Sequence, residues 1–213
     1  MWVRPYQGTE THGRLLDFGN GVDYTDCVTI AVLNADTATH WQPCLSTFDG
    51  ATIVPSKLVG SLSVDGGWHH LALTLAPNGT STLYVDGLAS GAPVDQVRFY
   101  RSVLRTACYF GRASFTAKTR VNAALDEIRF YSRLLSDAEV QADKRTDSFV
   151  PFKRLLPSLY HYWPVNPGPD VRDWSTHGKD MLQLPRQQVA LERDRFGNER
   201  CAVRVANAST HLY

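Results

Sequence analysis

Residues 66–88 read GGWHHLALTLAPNGTSTLYVDGL, and this stretch decides the fold class. From Trp68 to Leu75, alternate residues fall on opposite faces, which is the period of two expected of a half-buried β-strand. Asn78-Gly79 separates this run from the next one, STLYV, and both turn residues tolerate a positive φ, so the dipeptide predicts a tight β-hairpin. Asp86-Gly87 ends the second strand with the same turn chemistry.

Similar short runs rich in β-branched and aromatic residues recur along the chain. They are CVTIAVL (27–33), KLVGSLSV (57–64), CYFGRAS (108–114), ALDEIRFY (124–131), LYHYWPV (159–165) and CAVRVAN (201–207). Short strands at this spacing predict an all-β, two-sheet antiparallel β-sandwich. Ser136 and Glu139 form a capping box, which predicts one short helix near residues 137–144.

Length and composition narrow the function classes. The 213 residues suit one large all-β domain, and 43% hydrophobic with 20% charged residues is typical of a globular protein. A formal net charge of +1 gives no basic field for nucleic acid. No apolar run approaches the ~20 residues that cross a bilayer, so we expect no membrane insertion. Two glycosylation sequons, at Asn78 and Asn207, favour an extracellular or cell-surface location.

The four cysteines lack the spacing of a zinc site. They are Cys27, Cys44, Cys108 and Cys201. Cys27 and Cys44 lie on neighbouring predicted strands, which makes them the favoured disulfide pair. Buried thiols in a reducing compartment are the alternative, and the sequence leaves both open.

Three stretches resemble laminin G-like and pentraxin-like domains of the concanavalin A-like superfamily. The first, residues 66–91, matches that family's tryptophan-histidine strand, hairpin and Y-V-D-G strand. The second, AALDEIRFYSRLLSDAEV (123–140), resembles the closing strand and its capped helix. The third, residues 159–184 with DRFGNERCAVRV (194–205), resembles the family's opening strands. The resemblance implies a concanavalin A-like jellyroll.

The order of these stretches differs from that of the family, in which the third stretch comes first. The chain therefore looks circularly permuted. We predict one laminin G-like sandwich over residues 1–213, in which 159–213 supply the opening strands after a connector at about 146–158. Two alternatives stay open: residues 159–213 begin a second domain, or they are exchanged between two chains by domain swapping.

The resemblance also implies a structural Ca²⁺ ion that pins the opening turn to the closing strand. Asp126 and Asp173 stand at the matching positions, with backbone carbonyls near His177 as further ligands. Asp170 and Asp180 are additional candidates. The alternative is that Asp126 and Asp173 are surface aspartates without a metal ion.

A glycoside hydrolase is the sharper alternative, because related glucanases carry paired carboxylates on one strand. The only similar stretch, Asp126 to Tyr131, has Arg129 where the second acid would stand. No other catalytic motif is present. His69 and His70 point to opposite faces of a strand and cannot readily chelate one metal ion.

The sequence therefore predicts a non-catalytic recognition module with lectin-like binding of a glycan or glycoprotein. A protein–protein interaction or structural module of a larger assembly is the alternative. Trp41, His40 and Tyr24 are candidate sugar contacts because they lie in or near loops, but packing is the favoured role of each. No ligand-binding residue is assigned.

Overall fold

The computed structural model describes residues 1–9, 12–20, 27–33, 39–48, 53–92, 105–114, 121–145, 158–164 and 190–205. In these ranges the chain is almost entirely β-structure with one short helix, which confirms the predicted fold class. The strands are β1 (Trp2–Pro5), β2 (Gly13–Gly19), β3 (Val28–Leu33), β4 (His40–Phe48), β5 (Ile53–Val59), β6 (Leu62–Ser63), β7 (His69–Leu75), β8 (Ser81–Val85), β9 (Leu88–Ala89), β10 (Ala107–Phe110), β11 (Ala123–Asp126), β12 (Ile128–Tyr131), β13 (Leu159–Trp163), β14 (Ala190–Glu192) and β15 (Ala202–Val205).

The described strands form two main antiparallel sheets and one two-stranded pair. The seven-stranded sheet has the order β14-β15-β11-β1-β7-β8-β9. The other sheet has the order β10-β2-β3-β4-β5, with β6 paired to β4, and β12 pairs with β13. Strands that are neighbours in space but distant in sequence, such as β1 and β11, give the sandwich its non-local topology.

One hydrophobic core lies between the sheets. The seven-stranded sheet contributes Leu71, Leu83 and Leu125, and the facing sheet contributes Leu15 and Leu45. These five side chains are buried because alternate residues of each strand point inward. The alternation that the sequence showed around residues 68–75 is therefore the pattern of a sheet with one face on the core.

The predicted hairpin is present between β7 and β8. Thr74 pairs with Thr82, Gly79 has a φ of 91°, and the Ala76 amide donates to the Thr80 carbonyl at 2.8 Å. The Asp86-Gly87 dipeptide has positive φ at both residues and turns β8 into β9. Both turns use residues that reach the left-handed region at low cost.

The helix α1 (Asp137–Arg145) starts and ends close to its predicted bounds. Ser136 caps it as expected: the Glu139 carboxylate accepts from the Ser136 amide at 2.8 Å, and the Glu139 amide donates back to the Ser136 hydroxyl at 3.4 Å. Among the described residues, no helix has the length and apolar character needed to span a bilayer.

The Cys27–Cys44 disulfide is the wrong alternative, because the structure has no bond between the two thiols. Cys44 pairs with Ala31, whereas Cys27 directly precedes Val28 at the start of β3. Four residues of strand span about 13 Å, well beyond the ~7 Å between Cα atoms that a disulfide tolerates. Both thiols are buried instead.

The strands after Ser158 pair with strands of the first 141 residues. β15 pairs with β11, where Val205 lies opposite Ala123, and β13 pairs with β12, where Trp163 lies opposite Ile128. These pairings support the prediction that residues 159–213 complete the sandwich of their own chain, which stays a prediction. The proposed connector lies outside the described residues except for Ser158.

A chain that ends after Pro157 should lose cooperative unfolding, because it lacks β13 to β15 and exposes the edges of β11 and β12. Thermal unfolding of the full and shortened chains, with light scattering of the full chain, tests this. A monomeric full chain supports closure within one chain, and a dimer supports exchange. An unchanged unfolding midpoint in the shortened chain would contradict both.

Two glycines provide a matched control for this experiment. Gly111 and Gly66 both have positive φ, 83° and 80°. A Cβ at Gly111 would lie 2.8 Å from the Val205 Cβ, whereas a Cβ at Gly66 would meet nothing within 4 Å. We expect Gly111→Ala to destabilise the full chain by about 1–3 kcal/mol more than Gly66→Ala does. Equal effects would contradict docking of β15 against Gly111.

Candidate functional site

The stretch that the sequence predicted as the closing strand is interrupted at Glu127. This residue has a φ of 51° and separates β11 from β12, so that the chain leaves the seven-stranded sheet and pairs with β13 instead. A positive φ is uncommon for a residue other than glycine and needs support from its surroundings. The support is a buried ion pair with Arg129 and a hydrogen bond of 2.8 Å from the Tyr162 hydroxyl.

Arg129 is the centre of a buried polar network. Its guanidinium contacts the carboxylates of Glu127 and Asp143, the latter at 2.9 Å, and also donates to the Asp143 carbonyl at 3.1 Å. Tyr131 donates to the same carboxylate. Burial alone would lower the pKa of Arg129, but the two carboxylates raise it above its ordinary value. The network joins the break at Glu127, strand β12 and helix α1.

His70 belongs to the same network. It is buried, and its Nε2 lies 3.2 Å from an Asp143 oxygen. Burial lowers the pKa of His70 to about 4, although Asp143 opposes that change. Its Nδ1 has no hydrogen-bond partner in the part of the chain that the structure describes, so protonation would add a buried donor without an acceptor there. His70 therefore stays neutral near pH 7 and ties α1 to β7.

His69 faces the other way, as the strand period predicted. Its Nδ1 lies 2.8 Å from Asp86 and its Nε2 lies 3.1 Å from Asp65. Each ring of the histidine pair thus binds its own carboxylates. Within the described ranges, no three histidine, cysteine or acidic side chains are arranged to hold a metal ion.

Asp126, the predicted calcium ligand, lies at the end of β11 and is buried. Burial raises its pKa well above the ordinary value, and the negative charges of Glu127 and Asp194 raise it further. Arg195, which stacks over the Trp2 ring at 4.4 Å, partly offsets them. Asp126 is thus a buried carboxyl acted on by two acidic residues and one arginine.

Asp194, which the sequence had not singled out as a ligand, is the acidic neighbour of Asp126. Its carboxylate accepts from the amides of Phe196 and Asn198, both at 2.8 Å, and so holds the turn between β14 and β15. The other predicted ligand, Asp173, lies outside the described residues, as do Asp170 and Asp180. The two-residue calcium site therefore stays a prediction.

The structure gives a different result for each of the three candidate sugar contacts. Trp41 is 1% exposed and packs in the core, so a role in sugar binding is wrong for it, and the packing role is confirmed. His40 is exposed at the start of β4 and lies 3.0 Å from the Thr39 hydroxyl. Tyr24 lies outside the described residues.

A groove of about 520 Å³ lies between the outer face of the β7–β8 hairpin and the start of α1. Thr74, Thr82 and Tyr84 line it on the hairpin side, which we call its floor, and Asp137 and Leu134 line it on the helix side, its wall. Tyr84 donates to an Asp137 oxygen at 2.7 Å. We call this feature the hydroxyl groove. The strand period had placed Thr74 on one face, but only the position of α1 shows that this face is half covered.

A second, larger space of about 1030 Å³ lies between the two sheets. Its lining is mainly apolar and includes Leu16, Phe18, Leu73, Phe110 and Phe130. Polar side chains, among them Asn78, Ser132 and Arg133, also line this space. The hydroxyl groove differs from it in that a cluster of hydroxyl-bearing residues lies opposite an acidic one.

The fold defines a class of protein: a laminin G-like β-sandwich, of the kind that in general binds glycans or proteins. Residues 1–141 match the family model of the concanavalin A-like lectin/glucanases superfamily, and the chain belongs to this family. No curated protein sequence matches the chain.

The family match ends at residue 141, within α1. It therefore covers the hairpin, the closing strand and the start of the helix, which carried the first two resemblances in the sequence. The strands after Ser158 lie beyond it. A circular permutation stays a prediction.

Acid should weaken the fold through His70. Its pKa in the folded protein, about 4, lies below the ordinary value of 6.5. Acid therefore protonates His70 more readily in the unfolded chain, and the free energy of unfolding is highest above pH 6.5 and decreases as the pH falls towards 4. The full effect is about 3 kcal/mol. In thermal unfolding between pH 7 and 4, His70→Gln should lose less stability than the unmodified chain. Parallel pH profiles would contradict this role.

Proposed function

We propose that this protein is a non-catalytic recognition module that binds a glycan or the glycan of a glycoprotein. Membership of the family supports binding as the general function. The proposal depends on one observation, the burial and pairing of the acidic residues in the closing strand. The only carboxylate beside Asp126 on this strand, Glu127, is buried and paired with Arg129.

This arrangement does not suit glycoside cleavage. A retaining glycosidase needs two carboxyl groups about 5 Å apart that both reach the sugar. Glu127 is instead enclosed by Arg129 and Tyr162, and neither Asp126 nor Glu127 is more than 2% exposed. The alternative of a glycoside hydrolase is thus poorly supported by the geometry of this stretch.

A structural Ca²⁺ ion is part of the proposal. Asp126 would supply one carboxylate and Asp173 a second, with backbone carbonyls completing the oxygen shell. The ion would hold the segment around Asp173 against the closing strand. The buried carboxyl of Asp126, with Asp194 close enough to raise its pKa, supports a cation at this position.

The same proposal places the protein outside the cell or on its surface, where glycans are presented. The sequon at Asn78 lies in the β7–β8 turn, and Asn78 is exposed. A protein–protein interaction or structural module is the second candidate. The exposed Leu88 on β9, the edge strand of the seven-stranded sheet, favours it as a place where another chain could pair.

A glycan array separates the two candidates. Binding that free sugar inhibits supports the lectin-like function. Silence across the array, together with no effect of added Ca²⁺, would contradict it and leave the protein-interaction module as the better proposal.

The calcium proposal predicts that Asp126→Asn has different effects on the unfolding midpoint with and without Ca²⁺. Without calcium, Asp126→Asn should leave the unfolding midpoint unchanged or raise it, because it removes a poorly solvated charge. With calcium, the unmodified chain should gain several degrees, as expected for a ligand in ~100-fold excess over its Kd, and the variant should gain none. Calorimetry with Ca²⁺ and with a chelator measures both. An equal gain in both proteins would contradict Asp126 as a ligand.

A further inference from the structure

The hydroxyl groove has the chemistry of a saccharide site. Thr74 and Thr82 form a cross-strand pair on the outer face of the hairpin, and Tyr84 follows Thr82 on the same face. Each hydroxyl can donate and accept one or more hydrogen bonds, which is the property that a polyhydroxylated ligand needs from its site. All three residues line the groove, with Thr74 and Thr82 side by side on neighbouring strands.

The wall of the groove adds an acceptor and an apolar surface. Tyr84 engages Oδ1 of Asp137 at 2.7 Å, and burial raises the pKa of Tyr84, so its hydroxyl stays protonated and donating. The second carboxylate oxygen of Asp137 is a further acceptor that a ligand hydroxyl can use. Leu134 is 46% exposed on the same wall and can pack against the C–H face of a sugar ring.

The groove is also held in one shape. Its floor is a paired hairpin. Its wall includes the capped start of α1, where Glu139 accepts from the Ser136 amide and pairs with Arg133 at 2.6 Å. The other end of α1 is tied to the sheet by Asp143 through His70 and Arg129. A preformed site loses little conformational entropy when a ligand binds.

We infer that the hydroxyl groove, built from Thr74, Thr82, Tyr84, Asp137 and Leu134, binds a neutral mono- or disaccharide. Its volume of about 520 Å³ lies within the range of small-ligand sites. The Asp137 carboxylate at the wall repels sialylated, sulfated or uronic acid sugars. The inference rests on the proposed function and locates its ligand site.

An array of neutral, sialylated and sulfated oligosaccharides, followed by calorimetric titration of the strongest neutral binder, tests this inference on the full chain. Thr82→Val keeps the side-chain shape, removes one hydroxyl and should weaken binding by about 3- to 10-fold. Leu134→Ala should weaken it by a similar factor. Thr106→Val, at an exposed threonine just before β10, is the matched control and should bind like the unmodified chain.

Asp137→Asn should strengthen binding of acidic sugars, whereas Thr82→Val and Leu134→Ala weaken binding of the neutral one. It should raise binding of the sialylated and sulfated sugars relative to the neutral one, because it removes the repelling charge. Unchanged unfolding midpoints show that each variant is folded. If the unmodified chain binds a neutral sugar and Thr82→Val and Asp137→Asn behave like it, the groove is the wrong site although the glycan function stands. If the unmodified chain binds no sugar, both fail.

Discussion

The buried Arg129 guanidinium is the contact on which the rest of the structure depends. It lies between Glu127, at the break between β11 and β12, and Asp143, near the end of α1. An arginine in this position is costly to desolvate, and the cost is offset only because two carboxylates and their hydrogen bonds surround it. Loss of one partner would leave a buried charge and cost about 3–5 kcal/mol. Arg129 thus fixes both the break between β11 and β12 and the position of α1 on the sheet.

The position of the helix in turn shapes the outer face of the seven-stranded sheet. Asp143 accepts from Arg129 and Tyr131 and lies against His70, so the carboxyl-terminal half of α1 rests on the sheet. Lys144 adds a hydrogen bond of 3.0 Å to the Asp86 carbonyl. The amino-terminal half stands over the threonines of the hairpin and forms the wall of the hydroxyl groove. A network that is structural in itself therefore defines the space available to a ligand.

The strands after Ser158 have a second role beside completing the sheets. Tyr162 of β13 donates to Glu127 and its ring lies 5.1 Å from the Arg129 guanidinium, so the polar network includes a residue distant in sequence. Asp194 and Arg195, beside the β14–β15 turn, set the charge around Asp126. The closing strand is thus supported on both sides by residues that the family match does not cover. This is the physical reason why the first 141 residues alone would leave Glu127 and Asp126 without part of their surroundings.

The amino-acid sequence by itself determined the fold class, the hairpin at Asn78-Gly79 and the start of α1, because these follow from local alternation, turn chemistry and capping. It also predicted that His69 and His70 point apart. Only the tertiary structure decided that Trp41 is core, that Cys27 and Cys44 are out of register, and that Glu127 breaks the closing strand. The hydroxyl groove belongs to the same group, since it exists only where α1 covers strands some 55 residues earlier in the chain. Register, burial and helix position depend on contacts between distant residues, and a local pattern does not contain them.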